Sequence, residues 1–259
     1  MKAMILAAGM GTRLRPLTDD RPKALVEVAG RTLLEITLCR LRSFGVREVI
    51  VNVHHFADMV IDYLQDHDNF GMRVEVSRED VLLDTGGGLK KTAEFFLDAN
   101  RSSDEPFILH NVDVISTIDL GRMIRFHMER AALATLAVQD RETSRYLLFD
   151  ENDQLCGRRT GSIAKTGQGD TELARPALHM QALAFSGIHI LSSRIFSKMT
   201  EEGAFSIIKT YLNLAAKGDG IIAFRADEYY WRDLGRPDSI MQAARDVADG
   251  KLPASDSPS

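Results

Sequence analysis

Ala3-Met-Ile-Leu-Ala-Ala-Gly-Met-Gly-Thr-Arg-Leu-Arg-Pro-Leu-Thr18 carries a short apolar run that breaks on Gly9 and Gly11 and then turns basic. Ala3–Ala7 reads as a buried strand that stops at Gly9. Glycines placed directly after a first strand let the backbone turn sharply and approach a ligand. Their free N–H groups can cradle phosphate oxygens. Arg13, Arg15 and, a little further on, Lys23 in Arg21-Pro-Lys23 add positive charge just there. That combination suits a nucleoside triphosphate, although a glycine loop is also how a chain makes a plain tight turn. No Gly-Lys-Ser/Thr follows, so this is not a Walker A loop, and Arg15 after Leu14 leaves the dinucleotide fingerprint without its third glycine.

The chain beyond this loop keeps alternating. Leu33–Phe44 has apolar residues at helical spacing and is followed by Gly45, a C-terminal helix signal. Glu48–Val53 reads as a strand, Ala57–Leu64 as a helix, Arg73–Val76 as a strand and Gly88–Leu97 as a helix. Pro106–His110, Leu120–Glu129 and Ala134–Val138 continue as strand, helix and strand. This rhythm predicts an open parallel sheet covered on both faces. The second half is less regular. Tyr146–Phe149 and Gln154–Cys156 flank Asp-Glu-Asn-Asp and read as a hairpin. Thr160–Met180 shows no period and is expected to be a long loop. Ala182–Leu191 reads as a strong strand, Ser206–Ala216 as a helix, Ile221–Arg225 as a strand and Arg236–Val247 as a closing helix. Residues 1–250 are expected to form one domain and 251–259 a frayed tail rich in Pro and Ser.

Composition sets limits on function. The chain has 259 residues, 44% hydrophobic and 27% charged, with a net charge of −5. That excludes a disordered chain and a collagen, and gives no general attraction to nucleic acid or to an anionic membrane. Cys39 and Cys156 are too few for a disulfide framework or a zinc site. No stretch is long and apolar enough to cross a bilayer, so a cytoplasmic protein is expected.

Three further segments carry chemistry. Leu83-Asp-Thr-Gly-Gly-Gly-Leu-Lys-Lys91 places three glycines at the opening of a helical pattern, which suits close approach of a flat ligand or simply a flexible turn. Phe107-Ile-Leu-His-Asn-Val-Asp113 ends a buried strand on a carboxylate, where open α/β sheets bind their ligands. Asp233 stands in Tyr230-Trp-Arg-Asp-Leu-Gly235. On the residues alone, a lone aspartate such as Asp113 is more often a turn or helix cap than a ligand, and capping is the plain reading of Asp233 too.

Gly9-Met-Gly-Thr-Arg-Leu-Arg-Pro-Leu-Thr18 with Pro22-Lys23 resembles the signature of the sugar-1-phosphate nucleotidyltransferases, and the resemblance runs from Met1 to about Ala248. The Thr-Gly-Gly-Gly form is like that of the short bacterial muramate-1-phosphate uridylyltransferases. The resemblance implies an α/β, Rossmann-like three-layer αβα fold with a mostly parallel mixed sheet; the C-terminal β-helix of longer relatives is not visible. It implies transfer of a nucleotidyl group from a nucleoside triphosphate to a sugar 1-phosphate, with Mg²⁺ as cofactor. Ala8, Gly9, Gly11, Thr12, Arg13 and Lys23 would hold the triphosphate, with Arg13, Lys23 and Asp113 catalytic. Thr85, Gly86, Gly87 and Gly88 would contact base and ribose, Asn111 would also bind the nucleotide, Ser186 and Gly187 the sugar, and Asp113 and Asp233 the metal. No nucleic-acid or membrane partner is implied, and the protein is expected as a monomer or small homo-oligomer. UTP ranks first among the nucleotides, ahead of dTTP, GTP and CTP.

The chain departs from the family pattern in two places. Val112 stands where a glycine usually precedes the first aspartate, and the Glu-Lys-Pro segment whose lysine grips the sugar phosphate is missing. Arg141, Arg145, Arg158, Arg159 and Lys165 are the basic residues available in its stead. A phosphocholine-type cytidylyltransferase and a catalytically inactive regulatory subunit of the same fold are the alternatives. His189 alternates with apolar residues and reads as a packed strand histidine.

Overall fold

In the computed structural model, which describes residues 1–97, 104–161 and 169–252, the opening apolar run forms β1 (Lys2–Leu6). A short antiparallel ribbon, β2 (Glu27–Val28) and β3 (Arg31–Thr32), leads into α1 (Leu33–Ser43). Next come β4 (Glu48–Val53), α2 (Ala57–Asp66), β5 (Arg73–Arg78), α3 (Asp84–Lys91), α4 (Ala93–Phe96) and β6 (Pro106–Asn111). They are followed by β7 (Val114–Ser116), α5 (Leu120–Glu129), β8 (Ala134–Gln139), β9 (Arg145–Phe149), β10 (Leu155–Thr160) and β11 (Asp170–Leu173). The described chain closes with β12 (Gln181–Ser192), α6 (Ile207–Ala216), β13 (Ile221–Arg225), β14 (Trp231–Asp233) and α7 (Pro237–Ala248).

One mixed sheet joins both halves of the sequence, in the order β11-β10-β9-β12-β6-β1-β4-β5. β6, β1, β4 and β5 are mutually parallel. β12 runs antiparallel to β6, to β8 and to β9, and β13 lies parallel to β8. β1 shows why the central strands are largely apolar. Ala3 and Ile5 enter one core and Met4 the other, and all three are fully buried. α1, α2, α5 and α7 cover the first face through Leu38, Val60, Met123 and Ala243; α3, α4 and α6 cover the second through Leu89, Phe96 and Tyr211. This is the three-layer αβα arrangement that the resemblance implies.

The signal read at Gly45 is a full C-terminal cap. Gly45 has φ +83°, its N–H donates to Arg42 O at 2.9 Å, and the Val46 N–H reaches back to Leu41 O at 3.1 Å. At the other end of α1, the Thr32 hydroxyl accepts from the Glu35 N–H at 3.1 Å.

The structure corrects the sequence reading in three places. Thr160–Met180 is not one loop: Asp170–Leu173 forms β11, an edge strand antiparallel to β10. All four of its side chains are exposed, so backbone pairing makes the strand and leaves no hydrophobic period to read. The helix expected over Gly88–Leu97 begins instead at Asp84, contains the three glycines, and breaks at Thr92 before α4. Leu252, assigned to the tail, is 5% exposed and packs into the first core. Lys165 and the tail residues beyond Leu252 lie outside the described residues.

Candidate active site

A cleft of about 230 Å³ opens at the carboxyl ends of β1 and β6. Open α/β sheets bind ligands at this edge because strand ends leave loops and backbone groups free there. Ala7, Ala8 and Gly9 form one wall, Asn111, Val112 and Asp113 the floor near β6, and Leu82, Asp84 and Thr85 the opposite wall. Lys23 reaches in from the turn after Pro22. Of the residues that the sequence singles out, Ala8, Gly9, Lys23, Thr85, Asn111 and Asp113 line this cleft.

The turn that follows Gly9 is set by two contacts. Gly11 has φ +65°, a backbone region that excludes most side chains, and its carbonyl accepts from the Thr18 hydroxyl at 2.9 Å. A Cβ on Gly11 would meet the Thr18 methyl at 2.9 Å. Around Gly9 none of the described residues lies within 4 Å of a built Cβ, so that glycine faces open space. Thr12 and Arg13 follow in a single 3₁₀ turn, both exposed.

Lys23 Nζ is ion-paired with the Asp113 carboxylate, and their side chains are only 12% and 13% exposed. With so little water to screen it, this pair is stronger than a surface ion pair. Asp233 comes alongside because β14 pairs with β7, placing Asp233 opposite Val114, and the Leu234 N–H donates to the Asp113 carbonyl at 2.8 Å. Arg13 joins from the glycine turn. Its Nη2 and Asp233 Oδ1 lie 2.9 and 2.8 Å from the point that a Cβ on Gly235 would occupy, so Gly235 leaves room for both. The structure therefore brings Arg13, Lys23, Asp113 and Asp233 together, although Arg13 and Asp233 stand beside the cleft rather than in its lining. Val112, the departure before Asp113, is 3% exposed and its side chain belongs to the first core.

The glycine triplet has a different role from the one its sequence suggests. A Cβ on Gly86 would lie 2.4 Å from the Phe205 ring, and one on Gly87 would lie 2.4 Å from the Gly203 carbonyl. Gly88 is equally tight against Asn52 and Glu79. The missing side chains thus let α3 dock on the segment 203–205, where the Gly86 N–H also donates to Phe205 O at 2.9 Å. None of the three lines the cleft; their neighbours Asp84 and Thr85 do. Even Thr85 turns its hydroxyl away, to accept from the Ile207 N–H at 3.0 Å at the start of α6.

On the other side of Asn111, β12 is irregular. Its pairing with β8 shifts between Phe185 and His189, and Gly187 there has φ +73°. Such a bulge frees ladder carbonyls and re-aims nearby groups. Phe185 O accepts from Arg141 Nη2 at 2.7 Å, and Ser186 O accepts from Trp231 Nε1 at 2.8 Å. The Arg141 guanidinium stacks over the Trp231 ring at 3.7 Å. Burial pushes Arg141 down to about 10, against the opposing pull of the Asp233 carboxylate. Two buried polar atoms here lack hydrogen-bond partners among the described residues, Arg141 Nε and Ser186 Oγ. Gly187 is pressed against Asn111, whose Nδ2 lies 2.9 Å from a built Cβ.

Among the described alternative basic residues, then, Arg141 is the one that interacts with Asp233. Arg158 pairs with Glu172 at 2.7 Å and Arg159 donates to Thr171 Oγ1 at 3.2 Å, both on the β10–β11 ribbon, and Arg145 is exposed at the start of β9. Sequence reasoning missed Asn52, Leu82 and Asp84 as cleft residues. A lone Asn within the apolar run Val49–Val53 was the available signal for the first. His189 is packed as expected, with Nδ1 2.7 Å from the Tyr211 hydroxyl.

Comparison with known proteins identifies the family. The nucleotidyl transferase family model matches residues 2–250. The chain is 33% identical over 250 residues to N-acetylmuramate alpha-1-phosphate uridylyltransferase of Caulobacter vibrioides, covering 95% of this chain and 97% of that protein. It is 29% identical to UTP–glucose-1-phosphate uridylyltransferase of Synechocystis, of which it spans 63%. A crystal structure of a putative glucose-1-phosphate thymidylyltransferase from Bacillus anthracis shares the fold with a TM-score of 0.76 at 18% identity, covering 96% of each chain. With the family signature, the fold and the assembled cleft all in agreement, the chain belongs to the nucleotidyl transferase family, among the sugar-1-phosphate nucleotidyltransferases.

Proposed function

We propose that the protein transfers a uridylyl group from UTP to an N-acetylmuramate-type sugar 1-phosphate, releasing pyrophosphate. The observation that carries this reading is the Lys23–Asp113 pair, set in a cleft whose wall is the open backbone at Ala8 and Gly9. The uridylyltransferase from Caulobacter, matched along nearly its whole length, supports the choice of base and sugar.

A phosphate oxygen of the sugar 1-phosphate attacks the α-phosphorus in line. A new O–Pα bond forms as the bond from Pα to the bridging oxygen breaks, and that oxygen leaves with pyrophosphate. The nucleophile is already anionic, so no general base is needed; positioning and charge stabilisation do the chemistry. Backbone N–H groups at Ala8, Gly9 and Gly11 and the Thr12 hydroxyl hold the triphosphate. Arg13 neutralises the departing pyrophosphate. Lys23 exchanges its pairing with Asp113 for the phosphoryl oxygens. Asn111 contacts the ribose and base, with the Thr85 backbone along the facing wall, while Ser186 and Gly187 flank the sugar. Arg141 supplies the cation for the sugar phosphate that the missing Glu-Lys-Pro lysine gives other members.

Asp113 and Asp233 are the residues that would hold Mg²⁺. Their setting suits it: Asp113 in the turn just before β7 and Asp233 at the end of β14, which pairs with β7, stand beside the glycine turn and match an ion that takes few protein ligands and completes its shell with phosphate oxygens and water. When bound, Mg²⁺ stabilises negative charge at the α-phosphate and orients the two substrates.

Incubation with Mg²⁺, UTP and N-acetylmuramate 1-phosphate, followed by mass spectrometry, tests the reading. The expected product is the UDP-sugar. Formation of a CDP-alcohol from CTP and phosphocholine instead, or no product from any pair, would overturn it.

A further inference from the structure

We propose that Asn52 and Glu79 form a positioning pair that fixes the spacing of the two walls of the nucleotide cleft. Asn52 lies on β4, lines the cleft and is 2% exposed. Its Oδ1 accepts from the Ala7 N–H at 2.8 Å, and its Nδ2 donates to Glu79 Oε1 at 2.7 Å. Glu79, just past β5 and 3% exposed, accepts from the Leu83 N–H through Oε2 at 2.9 Å. Three hydrogen bonds thus run in one line from the β1 wall, across the cleft floor, to the segment that carries Leu82, Asp84 and Thr85.

The polarity of this line is forced at both ends. The Ala7 and Leu83 N–H groups are donors, so each end of the side-chain pair must be an acceptor, and the junction between the two side chains needs one donor. Asn52 with Glu79 meets all three demands, and both Glu79 oxygens are committed to the line. Gly88 has the complementary shape, since a Cβ there would fall 2.7 Å from both Asn52 Nδ2 and Glu79 Oε1. The pair touches neither Lys23 nor Asp113. Its influence therefore falls on nucleotide binding and base preference, not on the chemical step.

The same logic supplies the test, which rests on the uridylyl-transfer reading only for its kinetic arm. In Glu79→Gln one junction must set two donors face to face, whichever way the amide turns. In Asn52→Asp two carboxylates meet. The double variant Asn52→Asp/Glu79→Gln swaps the two functional groups along the line. Its new carboxylate, on β4, accepts from the Ala7 N–H and from the nitrogen of the new amide past β5. The oxygen of that amide accepts from the Leu83 N–H. All three bonds return with the net charge unchanged.

Calorimetric UTP binding, kcat, KM and melting temperature would be measured for the wild type and these three variants. Glu79→Gln is expected to weaken UTP binding about tenfold, the effect of one unsatisfied buried hydrogen bond, and to narrow the preference for UTP over other nucleotides, with kcat nearly unchanged. The double variant is expected to recover most of that loss; the remainder reflects the negative charge now placed on the cleft floor. Should Glu79→Gln alone fail to fold, a folded double variant with near wild-type binding supports the pair, and an unfolded one overturns it. A Glu79→Gln protein with wild-type binding and base preference, or a double variant no better than the single ones, would also overturn it. So would variants that lose only melting temperature. A wild type that binds UTP without turnover defeats the transfer reading and leaves the pair to be judged by binding; one that binds no nucleotide defeats both.

Discussion

Two glycine segments flank the same cleft, and they are glycine for opposite reasons. Gly9 faces open space, with none of the described residues within 4 Å of a built Cβ, while Gly86, Gly87 and Gly88 each face protein atoms under 3 Å away. The first leaves room for a ligand to approach the backbone; the second leaves room for α3 to dock on residues 203–205 and on Asn52 and Glu79. A glycine in a sequence records that a side chain is excluded and not what excludes it. Only the neighbours decide, and those of Gly86 and Gly87 lie more than a hundred residues downstream.

The comparison can be broken first at the reacting end of the open segment. Asp113→Asn is expected to lower turnover about a thousandfold, by analogy with removal of a transition-state charge partner, in a protein that still folds but melts lower because Lys23 loses its nearly buried partner. Steady-state kinetics and thermal melting check it, and wild-type turnover would remove Asp113 from the chemistry.

Next comes a direct exchange between the segments. Gly87→Ala drives a methyl against the Gly203 carbonyl, and such overpacking typically costs about 1–3 kcal/mol. A lower melting temperature with the nucleotide contacts still in place is the expected result. Gly9→Ala should change stability by less than about 0.5 kcal/mol, because it touches nothing, yet weaken UTP binding where phosphate meets backbone. If the two variants behave alike, the distinction fails.

Arg141 lies beside Trp231 and Asp233, outside both segments, and its substitution sharpens what belongs to the sugar side. Arg141→Ala is expected to raise KM for the sugar phosphate about tenfold, the loss of one charged contact, and to leave KM for UTP unchanged. Equal effects on both substrates would mean that it only braces the bulge and Trp231.

The last effect is a common background to both segments and does not distinguish them. Burial pushes His110 down to about 4, His127 to about 4 and His189 to about 3, all from an ordinary value near 6.5. The unfolded chain therefore binds more protons than the folded one between these limits. The stability from these groups is fully present above about pH 6.5 and is lost as pH falls from there towards 4. Melting temperature should drop from pH 7 to pH 5 in wild type and Gly87→Ala alike, with the gap between them unchanged.

How much was legible follows from where the information lies. β1, α1, β4 and β6 were readable because each buries a continuous or periodic apolar set against one sheet, a local signal. The Gly9–Thr18 signature and the paired aspartates were readable as motifs. β11 was not, since its side chains face solvent and only its backbone pairs. The five basic residues between β8 and β12 look alike in sequence; what singles out Arg141 is the bulge at Ser186–Gly187 and the ring of Trp231, from two distant strands. The Asn52–Glu79 line escaped for the same reason, because its two ends are backbone groups of different elements.

Pyrophosphate release with Mg²⁺, crossing UTP, dTTP, GTP and CTP with N-acetylmuramate, glucose and mannose 1-phosphates, tests the central claim most directly. The account predicts release that requires one nucleotide and one sugar phosphate together, fastest with UTP and N-acetylmuramate 1-phosphate. Absence of release from every pair, in a protein that still binds UTP by calorimetry, would contradict it.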